Sequence, residues 1–182
     1  SEHGVDSSAV LLTTSTRIAE GIGEELDHQL EMLPRADIAA KSLEQNGVVA
    51  LLHSLSAAVE ISNMYAPEHL CLLVERPWDL VASVRNAGGI FMGESSPEAL
   101  GDYMAGPSHV MPTGGTARYS SPVNVADFQK IISIFGASEA AVTKLGAGTM
   151  TLARAEGLEG HAKAIERRLR VQAERSDSAE QA

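Results

Sequence analysis

Four short apolar runs, each separated from the next by a stretch with a different period, constrain this chain more than any other feature. They are "AVLLT" at 9–13, "GVVALLHS" at 47–54, "LCLLV" at 70–74 and "IFMG" at 90–93. Runs of this length read as buried strands. In "TSTRIAEGIGEELDHQLEML" the apolar residues Ile18, Ile22, Leu26, Leu30 and Leu33 instead recur at helical spacing, behind Thr/Ser caps and ahead of Pro34. Further helices are predicted over 37–45, ended by Asn46-Gly47, over 56–65, which must stop before Pro67, and over 78–88 behind Pro77. Strand and helix in alternation imply parallel βαβ units. The predicted fold is therefore α/β, with a Rossmann-like parallel sheet flanked by helices over residues 1–130.

The pattern changes at 101–122, "GDYMAGPSHVMPTGGTARYSSP". A loop this long inside a domain is usually functional or disordered, and the embedded Asp102, Tyr103, His109 and Arg118 favour function. "VNVADFQKIISI" is predicted to resume order, and 138–175 reads as two helical segments broken at Gly157. These helices have no strands to alternate with. They are predicted to form a C-terminal helical arm over 131–182 that packs on another subunit, with a frayed tail "SDSAEQA".

At 182 residues the chain holds one domain of substantial core with an appendage, and aromatics at 4% leave that core to Leu, Val, Ile and Ala. A net charge of −10 repels nucleic-acid phosphate and anionic lipid, which leaves small molecules or other protein chains as partners and argues against nucleic acid and membrane. No stretch approaches the roughly 18 apolar residues of a membrane span, and none resembles a signal peptide. Cys71 is the only cysteine. It excludes an internal disulfide and a thiolate zinc cluster, fits a reducing cytoplasm, and in "LCLLV" is expected to be a small buried hydrophobe.

Of the six histidines, His28 on a polar helix face and His53 at a strand end have ordinary surroundings. His3 alone says little. His69 directly follows Glu68 in "YAPEHL", His109 lies seven residues after Asp102, and His161 lies five after Glu156. Histidine with aspartate suits zinc or manganese, yet no spacing here is diagnostic and HExxH is absent. An imidazole suits proton abstraction near neutral pH and a carboxylate can activate water. For an isolated Glu-His pair, however, surface placement is the commoner outcome. "GTAR" with Gly114-Gly115 could form an anion-binding turn, whereas neither GxGxxG nor GxxxxGK[ST] occurs. The basic "RRLR" reads as a helix end complementing its dipole.

Taken together, "NMYAPEHL", "NAGGIFMGESSPEALGDYMAGPSHVMPTGGTARYSSPVNVADFQK" and "LARAEGLEGHAKAIERR" resemble, in order and spacing, the C-terminal portion of histidinol dehydrogenase, over about 1–170. That family implies a zinc-containing, NAD-dependent homodimer that oxidises L-histidinol through histidinaldehyde to L-histidine. On the matching positions, the resemblance implies that His69 takes the alcohol proton and Glu68 activates the water that hydrates the aldehyde. It further implies zinc ligands at His3, Asp102 and His161, the last reaching the partner subunit's site. His3, His69, Asp102, His109, Glu156 and His161 would contact the substrate.

The sequence departs from the family at its start. The family's fourth zinc ligand, a Gln three residues before the first His, falls before Ser1, and its N-terminal half with the NAD contacts is not represented. The missing initiator methionine and the lack of a nucleotide fingerprint agree with this. The chain is expected to be the C-terminal part of a longer enzyme or one piece of a two-piece protein, binding NAD poorly alone. The alternatives are a relative acting on another small alcohol and a non-catalytic zinc-binding or dimerisation fragment.

Overall fold

Parallel pairing, which the alternating pattern demands, occurs twice in a computed structural model that describes residues 1–180. Strand β1 (Ala9–Thr13) pairs in parallel with β2 (Gly47–Leu51), in register from Ala9 opposite Gly47 to Thr13 opposite Leu51. Strand β3 (His69–Leu72) pairs in parallel with β4 (Gly89–Met92), from His69 opposite Gly89 to Leu72 opposite Met92. The chain is thus α/β with short parallel strands flanked by helices. The four strands among the described residues form two separate two-stranded ladders, and no strand among those residues joins them.

Helices α1 (Thr16–Leu30) and α2 (Ala36–Asn46) make the crossover from β1 to β2, and α3 (Leu55–Tyr65) leads from β2 towards β3. Their starts follow from sequence. Ser15 and Ser54 sit extended before α1 and α3, and each hydroxyl accepts the amide of the residue three ahead, Ile18 at 3.4 Å and Ala57 at 3.1 Å. Two side chains tie the N-terminal segment to α2. The fully buried Ser42 hydroxyl donates to the Ser7 carbonyl at 2.9 Å, and the Asn46 amide donates to the Val5 carbonyl at 3.0 Å.

The helix predicted over 78–88 is cut to a single turn, α4 (Trp78–Val81). The cause is Asn63, a buried residue on α3. Its amide donates to the Ser83 carbonyl at 2.9 Å, and its carbonyl oxygen accepts the Arg85 and Asn86 amides at 2.6 and 3.2 Å. Backbone groups that would close helical turns are committed to a side chain instead. The predicted order in 123–134 is also reduced. Asn124 and Asp127 form a capping box on a short 3-10 turn, Val125–Phe128, beyond which residues 129–138 have no regular structure.

The chain divides into two units, Ser1–Gln129 and the residues from Lys130 onward. In the second, α6 (Glu139–Ala155) and α7 (Glu159–Glu180) are joined through Gly157, whose φ of 74° only glycine adopts without strain. Their close approach is made at Gly146, where an added Cβ would lie 3.0 Å from Leu169 Cδ1. The expected frayed tail is shorter than predicted, because α7 continues to Glu180. Residues 181–182 lie outside the described residues. No helix among the described residues is long and apolar enough to cross a membrane.

Candidate functional site

The segment "YAPEHL" is held at both ends. At its start, α3 stops at Ala66, a buried residue in left-handed conformation (φ 57°) whose amide still reaches the Ser62 carbonyl at 2.8 Å. Arg118 donates to the carbonyl of Met64 and, at 2.8 Å, to that of Gly115, so one guanidinium pins the turn "GTAR" to the carboxyl end of α3. The sequence leaves an anion-binding role for this turn open, but its arginine is occupied with backbone. Beyond Pro67 the β3–β4 ladder begins. Gly88 donates to the Pro67 carbonyl at 2.9 Å and Gly89 to the Glu68 carbonyl at 2.8 Å. A Cβ on Gly88 would come 2.5 Å from that Glu68 oxygen, so glycine is what lets this backbone approach Glu68.

Successive side chains of a strand face opposite ways. Leu70 and Leu72 therefore share one face of β3 while His69 and Cys71 share the other, with Phe91 of β4 opposite Cys71. The buried Phe91 ring lies beside the His69 ring, centroids 5.6 Å apart. Gly101 completes the contact, since a Cβ there would fall 2.6 Å from Phe91 Cε1. The next residue is Asp102. Glycine at 101 thus lets the π-turn Gly101–Ala105 settle on Phe91 and carry Asp102 towards His69.

The result is a cluster of three side chains, His69, Glu98 and Asp102, each offering a donor atom within 4.8 Å of the others. It is the one such group among the described residues. His69 Nε2 lies 3.5 Å from Asp102 Oδ1, and His69 Nδ1 lies 3.8 Å from Glu98 Oε1. Both Nε2 and Asp102 Oδ1 are buried without a hydrogen-bond partner. Leaving such atoms unsatisfied costs about 1–3 kcal/mol each. The pair is therefore poised to take up or exchange a proton, and the Asp102 carboxylate is a donor of the kind that suits zinc.

Of the residues singled out in sequence, His69 and Asp102 come together, with Glu68 adjacent in chain. The others are placed elsewhere. His3 is exposed on the N-terminal segment, its carbonyl accepting from Arg35 at 3.3 Å, and His109 is exposed beyond the π-turn. Glu156 ends α6 and His161 lies in the first turn of α7, both exposed and both in the second unit. Glu98 was missed. Its signal was present, because in "EALGD" Glu98 and Asp102 stand four apart, the spacing that puts two side chains on one helical face. Cys71 is a correction: it is exposed on the His69 face, and the leucines on either side take the covered one. The side chains crowding it, and then the Glu98 carboxylate, raise its thiol above the ordinary value.

The fold and the cluster define an α/β chain whose site pairs an imidazole with two carboxylates, groups suited to proton transfer. The chain belongs to the histidinol dehydrogenase family: the family model described as "Histidinol dehydrogenase" matches residues 1–169. Histidinol dehydrogenase of Deinococcus radiodurans is 53% identical over 171 residues, covering 93% of this chain and 39% of that protein. That of Thermus thermophilus is 50% identical, covering 92% and 40%. The crystal structure of histidinol dehydrogenase from Elizabethkingia anophelis aligns with a TM-score of 0.80 at 36% identity, over 94% of this chain and 40% of that one. This chain spans about 40% of the length of the relatives it matches.

Proposed function

We propose that this chain carries the catalytic acid–base groups of a histidinol dehydrogenase, which oxidises L-histidinol through L-histidinaldehyde to L-histidine. The convergence of His69 and Asp102, each with a buried unsatisfied atom, is the observation that supports it. Zinc, when bound, would hold the substrate's nitrogens, a positioning task. Asp102 would be one of its ligands from the first unit, with His3 and His161 as two more, His161 from the second subunit of a homodimer. His109 and Glu156 would contact the substrate.

Each oxidation sends a hydride to NAD and a proton to a base. In the first, His69 accepts the hydroxyl proton as the C–H hydride leaves. Water then adds to the aldehyde with Glu68 taking its proton, and the resulting hydrate anion loses the second hydride to a second NAD, leaving the carboxylic acid. Two bases for two half-reactions account for adjacent Glu and His. The NAD contacts are expected in the portion of the family that this chain does not span, and the family's biosynthetic role suits a cytoplasmic location. Residues 131–182 serve in this reading as the dimerisation arm.

The test is NAD reduction with L-histidinol, run on this chain alone and on the chain combined with the preceding portion of a relative. Activity in the combination supports the reading. No activity in either, with zinc bound stoichiometrically, overturns it in favour of a zinc-binding fragment. Reduction with another small alcohol but not with histidinol would point to a different substrate.

A further inference from the structure

The cluster holds one carboxylate that the reaction above does not use. Glu98 opens the one-turn helix α5 (Glu98–Leu100), immediately before the π-turn that carries Asp102. Its side chain is 45% exposed, whereas those of His69 and Asp102 are 17% and 18% exposed. The two nitrogens of His69 therefore address different carboxylates, Nδ1 towards Glu98 and Nε2 towards Asp102. These have different freedom. Asp102 Oδ1 is buried and confined, while the more exposed Glu98 side chain has room to close the 3.8 Å gap to hydrogen-bond length.

A neutral imidazole carries one N–H, and the partner of one nitrogen decides which nitrogen remains a base. A carboxylate can only accept. Two carboxylates cannot both be satisfied by one neutral ring, so one of them sets the tautomer. Phe91 fixes the plane by packing beside the ring, and the strand position of His69 fixes its Cβ; neither distinguishes the two tautomers.

We propose that Glu98 is the positioning residue for His69: it accepts the Nδ1–H, leaving Nε2 unprotonated on the Asp102 side as the atom that removes the substrate proton. This rests on the reading of His69 as the base. It adds a tautomer, an orienting partner and the identity of the reacting nitrogen. When the ring is charged after proton transfer, the same carboxylate faces the new positive charge on the Nδ1 side.

The test combines nitrogen NMR of 15N-histidine-labelled zinc-loaded protein, read on the neutral ring, with half-reaction kinetics. The wild type is expected to show His69 protonated at Nδ1 and bare at Nε2. Glu98→Ala should shift the ring towards the other tautomer and lower kcat for alcohol oxidation about 10- to 100-fold with KM little changed, as loss of an orienting partner does elsewhere. Glu98→Gln keeps an acceptor and should recover most of the tautomer preference but not all of the rate. A wild-type ring protonated at Nε2, an Nε2 signal typical of direct metal ligation, or an unchanged tautomer and kcat in Glu98→Ala would each overturn the proposal. The tautomer does not depend on turnover. An inactive protein that still showed a Glu98-dependent Nδ1–H would overturn the activity assigned above and leave the positioning role standing.

Discussion

His69 Nε2 and Asp102 Oδ1 face each other across 3.5 Å, both buried and neither hydrogen-bonded. A parallel ladder supplies the first, a π-turn the second, and Phe91 of that ladder packs beside both His69 and Gly101. The proposed base and the proposed metal ligand are thus neighbours by construction, and substitutions should separate their roles.

Replacing Asp102 by Asn should strip zinc, because the ligand loses its charge, whereas His69→Asn should retain it. Metal content after dialysis, by elemental analysis, reads both. Zinc lost equally from the two variants would mean that His69 is itself a ligand.

Gly101→Ala should destabilise the first unit by about 1–3 kcal/mol, since its Cβ would meet the buried Phe91 ring, which also packs beside His69. The contrasting site is Gly148 inside α6, where nothing lies within 4 Å of an added Cβ. There alanine should stabilise the helix by about 0.5–1 kcal/mol. Denaturant unfolding of both variants checks the pair of signs.

Arg118→Ala removes two hydrogen bonds to backbone carbonyls, one at the end of α3 and one within the "GTAR" turn. A loss of about 1–2 kcal/mol is expected, with faster amide exchange in residues 64–69, where the turn into β3 is no longer tied. Arg118→Lys should recover little, because an ammonium cannot span both carbonyls as the planar fork does. Full recovery by lysine would reduce the role of Arg118 to its charge.

The Cys71 thiol is exposed but crowded by neighbouring side chains, and this partial desolvation and then Glu98 raise it, so the neutral form is favoured in the folded chain. Its alkylation by iodoacetamide should lag behind a small-molecule thiol as pH passes the ordinary thiol value, and Glu98→Gln should narrow the lag. The sign for stability follows. Below the ordinary thiol value both states are neutral and the contribution is fully present; as pH rises through the raised value, the unfolded chain ionises first and stability falls. An alkylation rate unchanged by Glu98→Gln would exclude the electrostatic contribution.

The local elements were largely legible. The run "AVLLT" is β1 with the same bounds, and the period-3.6 stretch before Pro34 is α1 with its serine cap. What failed depended on distant partners. Nothing in "WDLVASVRNAG" announces that Asn63, some twenty residues earlier, takes the amides of Arg85 and Asn86 and stops the helix. Apolar runs indicate burial without saying which strands pair, so two ladders could not be distinguished from one sheet. Within the site, Glu68 and His69 carry no signal as a dipeptide and gain it only from the spacing to "GDYMAGPSHV" and "EGLEGH". Glu98 was concealed by its ordinary look at a helix start, although its four-residue offset from Asp102 was visible throughout.

The central claim is a division of labour between Glu68 and His69, and the most direct measurement is NADH formation from L-histidinol and from L-histidinaldehyde, taken separately, in Glu68→Gln and His69→Asn enzymes. The account predicts that His69→Asn severely cuts oxidation of the alcohol, while Glu68→Gln still oxidises the alcohol and chiefly loses oxidation of the aldehyde. Equal loss of both half-reactions in the Glu68 variant would contradict it.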